Sequence, residues 1–319
     1  MESARLFTQI ELSIVVPVYN EGPGLDVFYR TLKNVLDALA CSSEVVFVDD
    51  GSTDGSFEFI RQLAVRQSGV RGIRFSRNFG HQIALTAGMD HAQGQAVITM
   101  DADLQHPPEL VARLWEKYRE GFDVVYTVRT NRQTGFLKQA AASFFYKIIN
   151  LWSDTRIEPE ASDFRLLGPK ALAAMRQLRE QGRFLRGMVS WIGFRQASVP
   201  FSVGARYTGR TKYSLSKMIR LALDGLTAFS SKPLRVSGYL GLTVCFSALI
   251  YAFHALGACL TGRAVSGWTW PLISVLLTGG VQLVSLGLLG EYIGRILRET
   301  QNRPLYLIEG DTAVPVQKS

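Results

Sequence analysis

Cysteine is scarce in this 319-residue chain, and Cys41, Cys245 and Cys259 are scattered, two of them inside apolar segments. They offer no metal-ligand spacing and point to a reducing compartment. No basic run with interleaved aromatics occurs. The net charge of +8 suits anionic lipid or phosphorylated substrates, and no nucleic acid partner is expected. Charged residues are only 19% and hydrophobic ones 47%, which excludes both a disordered chain and one embedded in membrane throughout. The polar lead Met1–Glu11 runs into a strand instead of a signal-peptide core, so nothing there sends the first domain across a membrane. The first strand also lacks the G-x-G-x-x-G turn that a dinucleotide-binding fold needs at its end.

What is present falls into two parts. Up to about Asp123, the short apolar runs Leu12–Val18, Glu44–Val48, Val70–Phe75, Ala96–Met100 and Asp123–Val128 alternate with helical patterns. Leu25, Phe28, Leu32, Val35, Leu36 and Leu39 recur at helical spacing. Ser56–Gln67, His81–His91 and Pro108–Glu120 read as further helices, the last opened by a proline whose missing N–H costs nothing there. Such alternation predicts an α/β fold with a mostly parallel sheet. Ligands of these sheets sit beyond the carboxyl ends of the strands, so Tyr19–Glu21, Asp49–Asp54 and Asp101–Gln105 should gather on one edge.

The last third changes solvent. Val236–Leu260 and Pro271–Gly290 contain no Asp, Glu, Lys or Arg. Each reaches the roughly 20 apolar residues that span a hydrocarbon core. Trp268 and Trp270 sit in the link between them, as interfacial aromatics do. Lys232 and Arg235 precede the first segment, Arg295, Arg298 and Arg303 follow the second, and the link has only Arg263. A transmembrane hairpin with both ends cytoplasmic is the expectation. Tyr213–Ser230, apolar on one side with Lys212, Lys217 and Arg220 nearby, fits an interfacial amphipathic helix or an ordinary helix packed on the domain.

The most informative stretch is Thr99-Met100-Asp101-Ala102-Asp103-Leu104-Gln105-His106-Pro107-Pro108-Glu109. Residues i and i+2 of an extended segment point the same way, so Asp101 and Asp103 can share one site. Paired carboxylates repel unless a cation or donor sits between them, and Mg²⁺ or Mn²⁺ takes such oxygens together with substrate phosphates. A solvated acidic turn before the next helix is the plain alternative. At Asp49 and Asp50, carboxylates can accept from a base N–H or a ribose hydroxyl, and Gly51 permits a tight turn.

Taken together, Val15–Glu21, Val48–Gly55, Ser76–His81 and Asp101-Ala102-Asp103 resemble, in this order, the inverting family 2 glycosyltransferases of the GT-A fold. Asp101–Glu109, Asp163-Phe164-Arg165-Leu166, Arg183–Gly187, Thr211–Ser214 and the closing hairpin narrow the resemblance to the polyprenyl-phosphate glycosyltransferases. These include dolichol-phosphate mannose synthase and the bacterial enzymes that load glucose onto undecaprenyl phosphate. The likeness covers about residues 12 to 300. One departure is Ser162, where the bacterial enzymes usually have Gly.

The resemblance implies a GT-A domain over 1–213, a juxtamembrane helix over 214–232, a hairpin over 233–293 (spans about 236–260 and 270–290) and a cytosolic tail over 294–319. Pro17, Tyr19, Glu21, Asp49 and Asp50 would hold base and ribose, and Asp101 would face ribose and diphosphate. Asp103 would ligate Mg²⁺ or Mn²⁺, with Gln105 as a carbonyl ligand, neutralising the departing nucleoside diphosphate. Arg129 and Arg132 are placed to meet a phosphate or to line a solvated loop. Asp163 is the family's candidate general base. A phosphomonoester acceptor has its second pKa near 6, however, so it needs little deprotonation. Asp163 is therefore expected to contribute position more than basicity.

Gly204–Thr211 nearly fits the P-loop pattern, with Arg210 where the Lys belongs, but it follows the sheet instead of opening it. It reads better as a basic loop in which Arg206 and Lys212 grip acceptor or donor phosphates. His81, His91, His106 and His254 share no spacing and read as structural. The Gln-x-x-Arg-Trp motif of processive polysaccharide synthases is absent. Hexose transfer from a nucleotide sugar to undecaprenyl phosphate is the expectation, at the cytosolic face of a bacterial inner membrane and by analogy in a tetramer. Glucose from UDP-glucose is preferred, because segments 163–166 and 184–187 look most like the O-antigen-modifying glucosyl enzymes. Aminoarabinose, GlcNAc or GDP-mannose donors, and a catalytically silent nucleotide-sugar-binding protein, are the alternatives.

Overall fold

In a computed structural model, residues 9–130, 161–201, 232–261 and 269–313 are described. The chain forms two compact units. One comprises 1–147, 155–214 and 304–319, the other 148–154 and 215–303.

The first unit is built on an eight-stranded sheet. In chain order its elements are β1 (Leu12–Val18), α1 (Gly22–Ala38), β2 (Ser43–Asp49), α2 (Ser56–Arg66), β3 (Val70–Phe75), α3 (His81–His91), β4 (Ala96–Thr99), α4 (Leu110–Arg119) and β5 (Val124–Arg129). There follow β6 (Ala161–Leu167), α5 (Pro169–Gln177), α6 (Leu185–Trp191), β7 (Gln196–Phe201) and, near the end of the chain, β8 (Ile308–Asp311). The strand order is β7-β5-β6-β4-β1-β2-β3-β8. Every residue of the central β1 is buried, as a strand covered on both faces must be.

The expected parallel set is present, with β1 between β2 and β4 and β3 beyond β2. Two strands run against it. β6 is antiparallel to both β4 and β5, and β8 is antiparallel to β3, so the sheet is mixed. Helices pack on it through the residues their spacing marks out. Leu25, Phe28, Tyr29, Leu32 and Leu36 form the buried side of α1, and Phe28 meets Phe47 of β2 edge-on. α3 lies so close to β1 that a Cβ at Gly88 would fall 2.1 Å from Val15 Cγ1, so only glycine fits there. The helix expected from Pro108 begins at Leu110 instead. The Leu110 amide donates to the Pro107 carbonyl, making a turn before the helix proper.

β8 reaches the sheet after the second unit. Arg71 grips Asp311 through Nε at 3.0 Å and Nη2 at 2.6 Å, and Tyr306 stacks on Phe75. This covers the β3 edge, which would otherwise present unpaired backbone groups.

The second unit contains α7 (Lys232–Leu260) and α8 (Thr269–Thr300), which pack against each other. Within α7, Val236–His254 is long and apolar enough to cross a membrane, and it is the one stretch among the described residues that meets this test. The second expected span, about 270–290, lies within α8, which does not meet that test, so the expected two-span hairpin is not confirmed. The juxtamembrane segment 214–231 lies outside the described residues.

Candidate functional site

The carboxyl ends of β1, β2 and β4 share one edge of the sheet because those strands are parallel. Since β6 runs the opposite way, its beginning brings Ser162 and Asp163 to that same edge. Four loops converge there.

The loops after β1 and β2 are laced together. The Asn20 amide donates to Ser52 Oγ at 2.9 Å, the Thr53 amide to Asn20 Oδ1 at 2.9 Å and the Glu21 amide to Ser56 Oγ at 3.2 Å. Asn20 adopts a positive φ of 56°, a conformation asparagine tolerates better than most residues. Tyr19 is exposed beside this knot, whereas Pro17 is buried within β1 opposite Val48. Asp49 and Asp50 have separate tasks. Asp50 accepts the amides of Phe79 at 2.6 Å and Gly80 at 3.0 Å, which fixes the entry to α3. Burial raises its pKa, opposed by those two amides. Asp49 is buried and accepts the Ser52 amide. Its Oδ2 has no hydrogen-bond partner and lies 3.6 Å from Arg74 Nε. Gly51 sits so near the 77–78 backbone that a Cβ would come within 2.7 Å of the Arg77 carbonyl carbon, and its φ is 73°.

After β4, the chain makes a strained turn. Leu104 has a positive φ of 55°, which costs a non-glycine residue roughly 1–2 kcal/mol. Such strain persists only where the surroundings over-determine it. Asp103 Oδ1 accepts the Gln105 amide at 3.0 Å, and the Gln105 side-chain nitrogen is buried with no hydrogen-bond partner. Asp101 lies 3.5 Å from His81 Nε2 and 3.8 Å from His106 Nδ1. Burial raises its pKa, and the carboxylates of Asp163 and Asp103 add to that.

Asp163 is the most heavily held group. Its Oδ1 accepts from Arg165 Nη2 at 2.9 Å and Arg186 Nε at 3.1 Å, and its Oδ2 from Arg186 Nη2 at 3.1 Å and Gln82 Nε2 at 3.4 Å. Burial pushes this carboxyl up, but the Arg186 and Arg165 guanidiniums outweigh it and hold the pKa well below the ordinary carboxylate range. Burial lowers Arg165 to about 10, against the pull of Asp163. Gln82 Oε1 also accepts the Leu185 amide at 3.1 Å, linking α3 to the start of α6.

Sequence reasoning did not find His81, Gln82, Arg165 or Arg186 as neighbours of the expected site residues. Nor did it find the link between His106 and Ser162. Ser162 Oγ lies 2.8 Å from His106 Nε2 and accepts the Phe164 amide at 3.3 Å. Both side chains are buried, and the His106 ring packs between Phe164 and Phe201, each 5.3 Å away. Ser162 therefore ties the Asp101 turn to the Asp163 strand. In a double-mutant cycle, Ser162→Ala and His106→Gln should each destabilise the fold with a coupling of about 1 kcal/mol, the net worth of one buried hydrogen bond. Thermal unfolding of the two single variants and the double variant measures it, and strictly additive losses would show that the pair is not coupled.

Arg129 closes β5 opposite Phe201. Its side chain, together with Arg132, Arg206 and Lys212, lies outside the described residues. Among the described residues, no three His, Cys, Asp or Glu side chains are grouped to hold a metal.

A mixed, mostly parallel α/β sheet with acidic loops at the carboxyl ends of its strands is the architecture of nucleotide-dependent transferases of the GT-A type. Residues 13–175 match the model of glycosyl transferase family 2, and the chain belongs to that family. An uncharacterized glycosyltransferase YkcC of Bacillus subtilis is 45% identical over 94% of each chain. The bactoprenol glucosyl transferase of Shigella phage SfX is 41% identical, over 94% of this chain and 99% of its own. A prophage bactoprenol glucosyl transferase homolog of Escherichia coli is 40% identical over the same shares.

Proposed function

We propose that this protein transfers glucose from UDP-glucose to undecaprenyl phosphate at the cytosolic face of a bacterial inner membrane, with inversion at C1. Likeness over 94% of the chain to relatives named bactoprenol glucosyl transferases carries this reading. An acceptor phosphate oxygen attacks C1 of the sugar, the bond from C1 to the donor diphosphate breaks, and the nucleoside diphosphate leaves with the electron pair.

In this proposal Asp49, Tyr19, Glu21 and the backbone at Pro17 hold the nucleoside. Asp49 Oδ2 lies 3.6 Å from Arg74 Nε but accepts no hydrogen bond, and a base N–H or ribose hydroxyl would supply one. Asp50 acts indirectly, by shaping the entry to α3. Asp101 faces the ribose and diphosphate. Asp103 and Gln105 would hold Mg²⁺ or Mn²⁺. The donor set suits it: Asp103 Oδ2 has no hydrogen-bond partner among the described residues, and hard divalent ions use one or two carboxylates plus substrate phosphates. When bound, the ion supplies Lewis-acid neutralisation of the leaving diphosphate.

Asp163 is a poor proton acceptor while two guanidiniums hold it ionised, and the acceptor phosphate is already an oxyanion at neutral pH. Its carboxylate orients the nucleophile and faces the positive charge that develops at C1. Arg129, Arg132, Arg206 and Lys212 complete the phosphate contacts. α7 and α8 form the membrane hairpin, and copies associate through it. The sugar is tested by offering the detergent-purified protein UDP-glucose, UDP-GlcNAc, GDP-mannose and an aminoarabinose donor in turn. Product from UDP-glucose alone is expected. Preference for another donor reassigns the sugar, and product from none revives a non-catalytic binding protein.

A further inference from the structure

The two guanidiniums on Asp163 are committed by the fold to different degrees. Arg165 is only 5% exposed, and its Nη2 also donates to the Ser162 carbonyl at 2.9 Å. Moving it away would strand a buried charge. Arg186 comes from α6, is 32% exposed, and meets the carboxylate through Nε and Nη2 in a two-point fork. If Arg186 withdraws, Asp163 keeps Arg165 at 2.9 Å and Gln82 at 3.4 Å, so no buried carboxylate is left unpaired. The fork fits a phosphate as well as a carboxylate, and a monoester dianion carries nearly twice the charge.

We propose that Arg186 is a phosphate-binding residue of the transfer reaction, exchanging Asp163 for a substrate phosphate oxygen pair when substrate arrives. This rests on the glycosyl-transfer reading above. A phosphate gripped there lies beside Asp163, where an attacking acceptor oxygen has to be. The shared chemistry is a phosphate, and its two sources are the acceptor monoester and the donor diphosphate. Asp163 stays ionised on Arg165 throughout the exchange.

The test uses full-length Arg186→Met and Arg186→Lys in detergent with undecaprenyl phosphate, UDP-glucose and Mg²⁺. Arg186→Met should raise the KM for undecaprenyl phosphate by about tenfold or more, the loss expected of one charge-assisted pair, and leave the donor KM within about twofold. Arg186→Lys keeps the charge but loses the fork, so its KM should fall between. It also carries the test if the Met variant does not fold. A rise in donor KM alone supports the phosphate contact and assigns it to the diphosphate. A fall in kcat with both KM values unmoved would show that Arg186 only braces Asp163, overturning the proposal. Native mass spectrometry with undecaprenyl phosphate, and separately with UDP, reads the same contact without turnover. Binding equal to wild type for both ligands in the Met variant overturns the proposal, as would failure of the wild type to bind either. Wild-type binding without any sugar transfer would instead be a failure of the glycosyl-transfer reading alone.

Discussion

Asp103→Ala is expected to lower the transfer rate at saturating UDP-glucose by roughly two to three powers of ten, because Lewis-acid neutralisation of a leaving diphosphate is worth several kcal/mol. The fold should tolerate the change. Asp103 makes one local hydrogen bond, to the Gln105 amide, and is only partly buried. Activity and thermal unfolding should therefore separate. Titration with Mg²⁺ or Mn²⁺ should also show a weaker apparent affinity in the variant, and chelator should silence the wild type. An active, chelator-resistant wild type would remove the cation from the account.

Asp163→Asn should show the reverse pattern, a large loss of stability with a modest loss of rate. Asn removes the charge facing Arg165 and Arg186, and Arg165 is buried. Breaking one side of a buried pair costs about 3–5 kcal/mol, and the amide oxygen recovers part of that. The rate per folded molecule should stay above about a tenth of wild type, whereas loss of a true general base costs about 10²- to 10⁴-fold. The pH profile gives an independent reading. Asp163 is held below the ordinary carboxylate range, so it stays ionised and contributes no slope from weakly acidic to neutral pH. The acceptor phosphate does titrate there, and the rate should fall as pH drops through about 6, the second pKa of a phosphomonoester. That acid limb should survive in Asp163→Asn. A hundredfold or greater loss at unchanged stability, with the acid limb abolished, would restore Asp163 as the base.

The common edge of the sheet was legible because parallel strands place their carboxyl ends together, and Tyr19–Glu21, Asp49–Asp54 and Asp101–Gln105 all follow such ends. What surrounds those residues was not legible, because it is set by pairings far apart in sequence. Gln82 and Arg186 meet Asp163 across 81 and 23 residues, and Ser162 meets His106 across 56. His106 is a core histidine packed between two phenylalanines, yet Ser162 at its Nε2 and Asp101 3.8 Å from its Nδ1 give it a place beside the site. Asp50 and Asp49 read alike in sequence, and what separates them is the Phe79 and Gly80 amides on Asp50 against the Ser52 amide and Arg74 on Asp49. β8 is four residues long and half polar, with no periodicity to reveal it. It exists because Arg71 waits 240 residues upstream for Asp311.

A single displacement that places glucose on a polyprenyl phosphate fixes the configuration of the product. The purified protein is incubated with UDP-[¹³C]glucose, undecaprenyl phosphate and Mg²⁺, and the C1 configuration of the lipid-linked product is read by NMR. A β-linked glucosyl phosphate is predicted from the α-linked donor. An α-linked product, or labelled glucose released to water with none on lipid, would contradict it.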